Sequence, residues 1–194
     1  MSNAQPLFRQ YTPYDTKIVK AATRHGLYLI GGTAIDLLCK YYSIPFWRSR
    51  SDNDLDFWTA CDNSHKDKFI CHIKRTLGFV IKEHSDCMLS LESSAIHIDT
   101  DILIDYDRNN SRFGHTVNDI KVMSPIYLFT SKFDRYVNCN NAQRKTTDFK
   151  DLQTLLLIIE RINGFDELEK HLSALNYDQI AEDALNNIIA SMGC

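Results

Sequence analysis

The chain has 194 residues, 44% of them hydrophobic and 24% charged. That is enough to bury the core of one α/β domain with an appendage, but not of two large domains. Its 22 Lys and Arg against 25 Asp and Glu give a formal charge of −3, which excludes a polycationic nucleic-acid binder and leaves only a local basic groove open.

Thr12-Pro13 opens a helix with Pro at its first position, and Gly26 closes it. Leu27-Tyr28-Leu29-Ile30 is a short apolar strand running into Gly31-Gly32. Thr33 to Tyr41 reads as a helix, with Ala34, Leu37, Leu38 and Tyr41 on one face. An aromatic stretch, Tyr41–Ser49, is broken at Pro45 and leads to a strand over Asp54–Thr59. A helix from Asn63 to Leu77 follows, stopped by Gly78. Phe79–Lys82 and Cys87–Leu91 form a hairpin, and Ala95–Asp105 is the longest strand, its isoleucines alternating with Asp99, Asp101 and Leu103. One short strand is expected over Thr116–Val122.

From Ser124-Pro125 onward the pattern is helical: Pro125–Val137, Asp148–Ile162, Phe165–Leu175 and Tyr177–Met192, with Asn163-Gly164 as a stop. The expected class is therefore α/β (α+β), a mixed sheet flanked by helices, with residues 1–123 as the core and 124–194 as a helical region. No apolar run approaches the roughly 20 residues that span a bilayer, and Met1-Ser2-Asn3-Ala4-Gln5 lacks a signal-peptide core. A cytoplasmic protein with no membrane partner is expected. The six cysteines (39, 61, 71, 87, 139 and 194) fit no zinc spacing and are expected as reduced, mostly buried thiols.

Three pieces carry chemistry: Gly31-Gly32-Thr33, Asp54-Leu55-Asp56, and Asp99 in His97-Ile98-Asp99. Residues two apart on a strand share a face, so Asp54 and Asp56 project together, about 7 Å apart at Cα. Such a pair repels itself unless a cation intervenes, and Mg²⁺ (or Mn²⁺) is the hard, oxygen-seeking ion that fits. A third carboxylate on a neighbouring strand would complete a two-metal cage. Gly31-Gly32, between strand and helix, offers backbone N–H groups to a phosphate. Taken singly, the Gly-Gly is a tight turn and the Asp pair a solvated strand edge; their conjunction points to phosphoryl chemistry. P-loop and Rossmann glycine patterns are both absent.

Leu29-Ile30-Gly31-Gly32-Thr33-Ala34, followed by Arg50-Ser51-Asp52-Asn53-Asp54-Leu55-Asp56-Phe57, resembles the polymerase-β-type nucleotidyltransferase superfamily. Within it the chain looks like the minimal enzymes: abortive-infection type IV toxin nucleotidyltransferases and antibiotic adenylyltransferases. The similarity continues through Ile120–Pro125, Lys132, Arg144 and Asp148–Leu152 and covers residues 27–155. It implies a metal-dependent transfer of a nucleoside monophosphate from an NTP to an acceptor hydroxyl. Asp54, Asp56 and Asp99 would be catalytic and metal-binding, with Asp101 as the fallback for Asp99. Gly31, Gly32, Thr33, Arg50, Lys132 and Asp148 would bind the nucleotide. Arg50 is either a carboxylate orienter or a triphosphate clamp, and Asp148 is equally a helix N-terminal charge capped by Thr147.

Two departures stand out. Twenty-one residues lie between Gly32 and Asp54, more than the family usually has, and Asp52 stands where Ser or Thr is common. The resemblance favours a tRNA-like or other RNA acceptor over a small molecule or a protein, with a basic track of Arg48, Arg50, Lys132, Arg135, Arg144 and Lys145. For a smaller acceptor, Tyr41, Tyr42, Phe46 and Trp47 would line a cleft. The rivals are a catalytically silent module of the same fold, such as a toxin paired with an antitoxin, and an Asp-x-Asp glycosyltransferase using a nucleotide sugar.

Overall fold

The computed structural model describes residues 12–46, 54–60, 63–105, 114–175 and 178–192. Among them are seven helices and seven strands, and the chain divides into two compact units. The described residues of 12–34 and 54–124 make a sheet unit, and those of 35–46 and 125–192 make a helical unit.

The sheet unit opens with helix α1 (Pro13–Arg24). Its cap is reciprocal: the Asp15 N–H donates to the Thr12 hydroxyl at 3.1 Å, and the Thr12 N–H donates to the Asp15 carboxylate at 2.8 Å. Two otherwise orphaned backbone donors are thereby satisfied beside the Pro13 start. Strand β1 (Tyr28–Leu29) leads into helix α2 (Gly31–Tyr42), whose residues from Ile35 on belong to the helical unit. Strand β2 (Asp54–Ala60), helix α3 (Asn63–Leu77), strands β3 (Val80–His84), β4 (Met88–Ser93) and β5 (Ile98–Asp105), and the pair β6 (Gly114–Val117) and β7 (Ile120–Met123) complete the unit.

The sheet order is β3-β4-β5-β2-β1-β7-β6. It is mixed: β2 runs parallel to β5 and β1 to β7, and the other pairings are antiparallel. One face is apolar, with Leu29, Leu55, Phe57, Leu89, Leu91, Ile102, Ile104 and Val122 all buried. Ile18 and Val19 of α1 and Phe69 and Ile73 of α3 are buried in the same unit, and the Phe57 and Phe69 rings meet edge to face at 5.6 Å. On the other face, Trp58 donates its indole N–H to Asp105 at 3.1 Å and meets Tyr28 edge to face.

The helical unit contains α4 (Pro125–Asn138), α5 (Ala142–Arg161), α6 (Phe165–Ala174) and α7 (Gln179–Ala190) besides the later turns of α2. Four expectations are corrected. The strand read over Thr116–Val122 is the β6–β7 hairpin, because Asn118 and Asp119 both take positive φ (49° and 63°) and reverse the chain in two residues. Helix α2 starts at Gly31, not Thr33. Helix α5 starts at Ala142, since the Asn141 side chain accepts from the Arg144 N–H. Of the described cysteines only Cys39 is buried; Cys71 and Cys87 are exposed and Cys139 is half-buried, all as free thiols. No described helix is long and apolar enough to cross a membrane.

The left-handed Asn118-Asp119 turn generates a stability prediction. Glycine adopts positive φ without the Cβ penalty that Asp119 carries. Asp119→Gly should stabilise by about 0.5–1 kcal/mol, a rise in Tm of about 1–4 °C by calorimetry. An unchanged or lowered Tm would show that the turn is not strained at Asp119.

Candidate active site

The site is built where β1 hands over to α2. Gly31 has φ +68°, and a Cβ on it would fall on the Asp56 carboxylate. Glycine is thus required both for the backbone conformation and for the close approach of Asp56. The Ile30 N–H donates to the Asp56 carbonyl at 2.9 Å, and the Thr33 hydroxyl donates to the Asp54 carbonyl at 3.4 Å. Because the helix begins at Gly31, the N–H groups of Gly31, Gly32 and Thr33 belong to its first turn. Those are the donors a helix cannot satisfy internally, at the positive end of its dipole.

Strand alternation puts Leu55 and Phe57 in the core and leaves Asp54 and Asp56 half-buried on the opposite face. The parallel register sets Asp54 directly beside Asp99 and Asp56 directly beside Asp101. Asp99 is exposed, whereas the half-buried Asp101 accepts a 2.6 Å hydrogen bond from the Ser90 hydroxyl. On the far side of β5, Glu92 stands opposite Asp99 and pairs with Lys82 at 3.5 Å. Among the described residues no group of three His, Cys, Asp or Glu side chains is gathered so as to hold a metal ion. What the sheet face provides is carboxylate oxygen in adjacent pairs, a hard donor set suited to a cation that completes its shell with other oxygens.

Lys132 and Asp148 belong to the helical unit, where they find each other. Lys132 Nζ lies 2.7 Å from Asp151 and 3.5 Å from Asp148, and Arg135 grips Asp148 with two guanidinium nitrogens. Lys132, Asp148 and Asp151 are all buried. Burial alone would raise the Asp148 pKa; the Arg135 hydrogen bond and the Lys132 and Arg135 charges outweigh it and hold the carboxyl below the usual range. Asp148 is therefore not an N-terminal helix charge capped by Thr147: it lies inside α5, two turns beyond the Asn141 cap. In the same unit Lys40 pairs with the buried Asp36 at 3.1 Å. Burial, with the charges of Asp36 and Asp151, pushes the Cys39 thiol up to about 12, so it stays protonated.

The expected basic track is altered. Lys132 is buried and Arg135 is committed to Asp148; Arg144 is exposed, and Lys145 lies 5.6 Å from the centre of the Tyr136 ring. Arg48, Arg50, Asp52 and Trp47 lie outside the described residues, as do Cys61 and Cys194. Phe46 is buried, while Tyr41 is exposed and packs edge to face on Tyr42 at 5.0 Å. Asp151 and Arg135 carry roles that the sequence reading did not assign to them. Their signal was spacing: Asp148/Asp151 and Lys132/Arg135 are both i, i+3 pairs, each on one helix face.

No protein-family model matches the chain, and no curated protein does. Solved structures do. The antibiotic-resistance factor ANT(2″)-Ia, in complex with adenylyl-2″-tobramycin, is 15% identical over 82% of this chain and 92% of that one, with a TM-score of 0.56. The Megavirus polyadenylate synthase is 16% identical over 74% of this chain and 31% of that one (TM-score 0.55). An antigenic nucleotidyltransferase-like protein from Paracoccidioides brasiliensis is 14% identical over 90% and 87% (TM-score 0.53). The α/β architecture of this chain is the fold of these nucleotidyltransferases, as its motifs led one to expect.

Two predictions follow from this geometry. Gly31→Ala should destabilise by about 1–2 kcal/mol through the left-handed backbone alone, and the displaced Asp56 should add to that; urea melts of the variant measure it, and a wild-type midpoint would refute the close approach. Lys132→Met should lower stability by about 3–5 kcal/mol at pH 7, because it leaves buried carboxylates short of a cation. Asp148 has a depressed folded pKa, so its contribution is complete above the unfolded value near 4 and is lost as pH falls through the folded one. The gap between Lys132→Met and wild type in urea melts should accordingly narrow from pH 7 towards pH 2–3, and a gap independent of pH would rule out the ionic origin.

Proposed function

We propose that the protein transfers a nucleoside monophosphate from an NTP to an acceptor hydroxyl and releases pyrophosphate. The observation that carries this reading is the register of Asp54 beside Asp99, with Asp56 held against Gly31 at the start of α2. It puts carboxylates for a cation next to the first-turn N–H groups of a helix, the end that suits a phosphate, within one unit of the chain.

In this reading Asp54 and Asp56 hold Mg²⁺, or Mn²⁺ in its place, with Asp99 as the third carboxylate. Mg²⁺ is commonly bound by only one or two carboxylates together with substrate phosphate oxygens, so the nucleotide itself would complete a shell that the side chains leave open. The metal, when bound, supplies charge neutralisation and polarisation of the phosphoryl oxygens. Asp99, exposed and directly beside Asp54, accepts the proton of the acceptor hydroxyl. The acceptor oxygen forms a bond to the α-phosphorus as the bond to the bridging oxygen breaks, and pyrophosphate leaves with that electron pair. The first-turn N–H groups of Gly31, Gly32 and Thr33 bind the phosphate tail, and Arg50 clamps it or orients the carboxylates. Lys132, taken up by Asp151, and Asp148, held by Arg135, serve by joining α4 to α5.

The test uses each α-labelled NTP with Mg²⁺ against an RNA pool, a protein lysate and a panel of hydroxyl-bearing small molecules; which of these is labelled identifies the acceptor. Asp54→Ala and Asp56→Ala should abolish labelling with the fold intact by circular dichroism. Asp99→Asn should keep NTP binding by calorimetry and lose about 10²-fold or more in turnover. Wild-type activity in both Asp54→Ala and Asp56→Ala would sink the reading. NTP binding without transfer to any acceptor would favour a silent module, and turnover of a nucleotide sugar a glycosyltransferase.

A further inference from the structure

Among the described residues of the sheet unit, exposed positive charge gathers on α1 and α3, away from Asp54, Asp56 and Asp99. Along α1, Lys17, Lys20 and Arg24 follow the i, i+3, i+7 rule and make one exposed row about 10 Å long. Along α3, His65, Lys68 and His72 repeat the same spacing, and Thr76 extends it. Between the two helices lies a cavity of about 280 Å³ lined by Lys17, Lys20, Arg24, His72 and Thr76. Among the described residues none of these side chains is ion-paired to a carboxylate, although five salt bridges form elsewhere. The field of the cluster is felt by its neighbour: burial lowers the His25 pKa, and the charges of His72, Lys68, His65 and Arg24 lower it further. His25 also packs edge to face on His72 at 5.6 Å.

We propose that this α1–α3 groove docks the phosphate backbone of a single-stranded nucleic acid. A row of three cations on α1 faces the His72 imidazole and the Thr76 hydroxyl of α3 across the channel, with Lys68 one turn before His72, a lining that suits a chain of phosphates rather than one anion. At one end of the α1 row the exposed Tyr14 ring lies 5.7 Å from Lys17 Nζ, a surface on which a base can stack. A lipid surface is disfavoured, since α1 and α3 expose no large aliphatic side chain with which to enter a bilayer. The groove also replaces the basic track expected from the sequence, two of whose cations are spent on buried carboxylates.

Docking is tested on the full chain without any NTP, so its failure leaves the transferase reading standing, and the reverse. Labelled 12-mer single-stranded RNA and DNA of mixed sequence are titrated by fluorescence anisotropy at 50 and 200 mM salt. For three to four phosphate contacts, affinity should fall about 20- to 50-fold between those salts. Combining Lys17→Ala, Lys20→Ala and Arg24→Ala should weaken binding at 50 mM by at least about tenfold and flatten the log–log salt slope by about two units. These side chains are exposed, and circular dichroism melts would confirm the fold. Arg144→Ala with Lys145→Ala should leave binding unchanged. Binding of either oligonucleotide supports the proposal, and the tighter one identifies the backbone preferred. It is overturned if the triple variant binds like wild type, if neither oligonucleotide binds, or if only inorganic phosphate or anionic phosphatidylserine vesicles bind.

Discussion

The parallel pairing of β2 with β5 is the constraint on which the candidate site depends. In register, it sets Asp54 beside Asp99 and Asp56 beside Asp101 on one sheet face. Strand geometry puts neighbouring Cα atoms about 4.8 Å apart across the sheet and about 7 Å apart along it. Two unit charges about 5 Å apart repel by nearly 1 kcal/mol even in water, and by more where they are half-buried. The opposite face explains why the pairing holds. Leu55, Phe57, Ile102 and Ile104 are buried there, and each such side chain contributes about 1.5–3 kcal/mol of burial. The apolar face fixes the register, and a one-residue slip would turn the core residues out and the acids in. The concentration of acid on the polar face is thereby imposed by the core, and a cation bound there would relieve it.

The helical unit uses the same residue type to the opposite end. Asp148 and Asp151 are buried completely, and the i, i+3 pairs on α4 and α5 bring Lys132 and Arg135 onto them. A buried ion pair of this kind is seldom a large net gain over apolar packing, but losing one partner is severe. Its consequence for function is subtractive: two cations that a linear reading offers to an anionic ligand are consumed inside the protein. In the sheet unit, by contrast, Lys17, Lys20 and Arg24 of α1 remain exposed.

Much of the fold was legible because it is written in periodicity and punctuation. The Thr12-Pro13 start, the Asn63–Leu77 helix, the Asn163-Gly164 stop and the Ile98–Asp105 alternation all have local causes. The β6–β7 hairpin was not, because Asn118-Asp119 lacks the glycine that usually announces such a turn, and an unbroken Thr116–Val122 reads as one strand. The start of α5 was missed because Ala142–Thr147 carries no apolar stripe, and its only cue is the Asn141 cap. At the site, the face shared by Asp54 and Asp56 follows from alternation alone. The neighbour relation of Asp54 to Asp99 does not: it joins strands 45 positions apart, and only tertiary pairing sets that register. The contact of Gly31 with Asp56 is likewise tertiary.

The basic groove shows a different kind of illegibility. A formal charge of −3 is a sum, and sums are blind to segregation. Lys17, Lys20 and Arg24 carry three positive charges within two turns of α1, whereas α6 and α7 carry Asp166, Glu167, Glu169, Glu182 and Asp183. Periodicity is usually read on the apolar face, where Ile18, Val19, Ala21 and Ala22 settle that α1 is a helix and which side is buried. The same 3.6-residue period holds for what remains. Once the buried side is known, the charged residues left over on α1 form a row rather than a scatter, and beside His72 and Thr76 of α3 that row lines a groove. The polar face of an amphipathic helix therefore carries as much information about partners as its apolar face carries about the core.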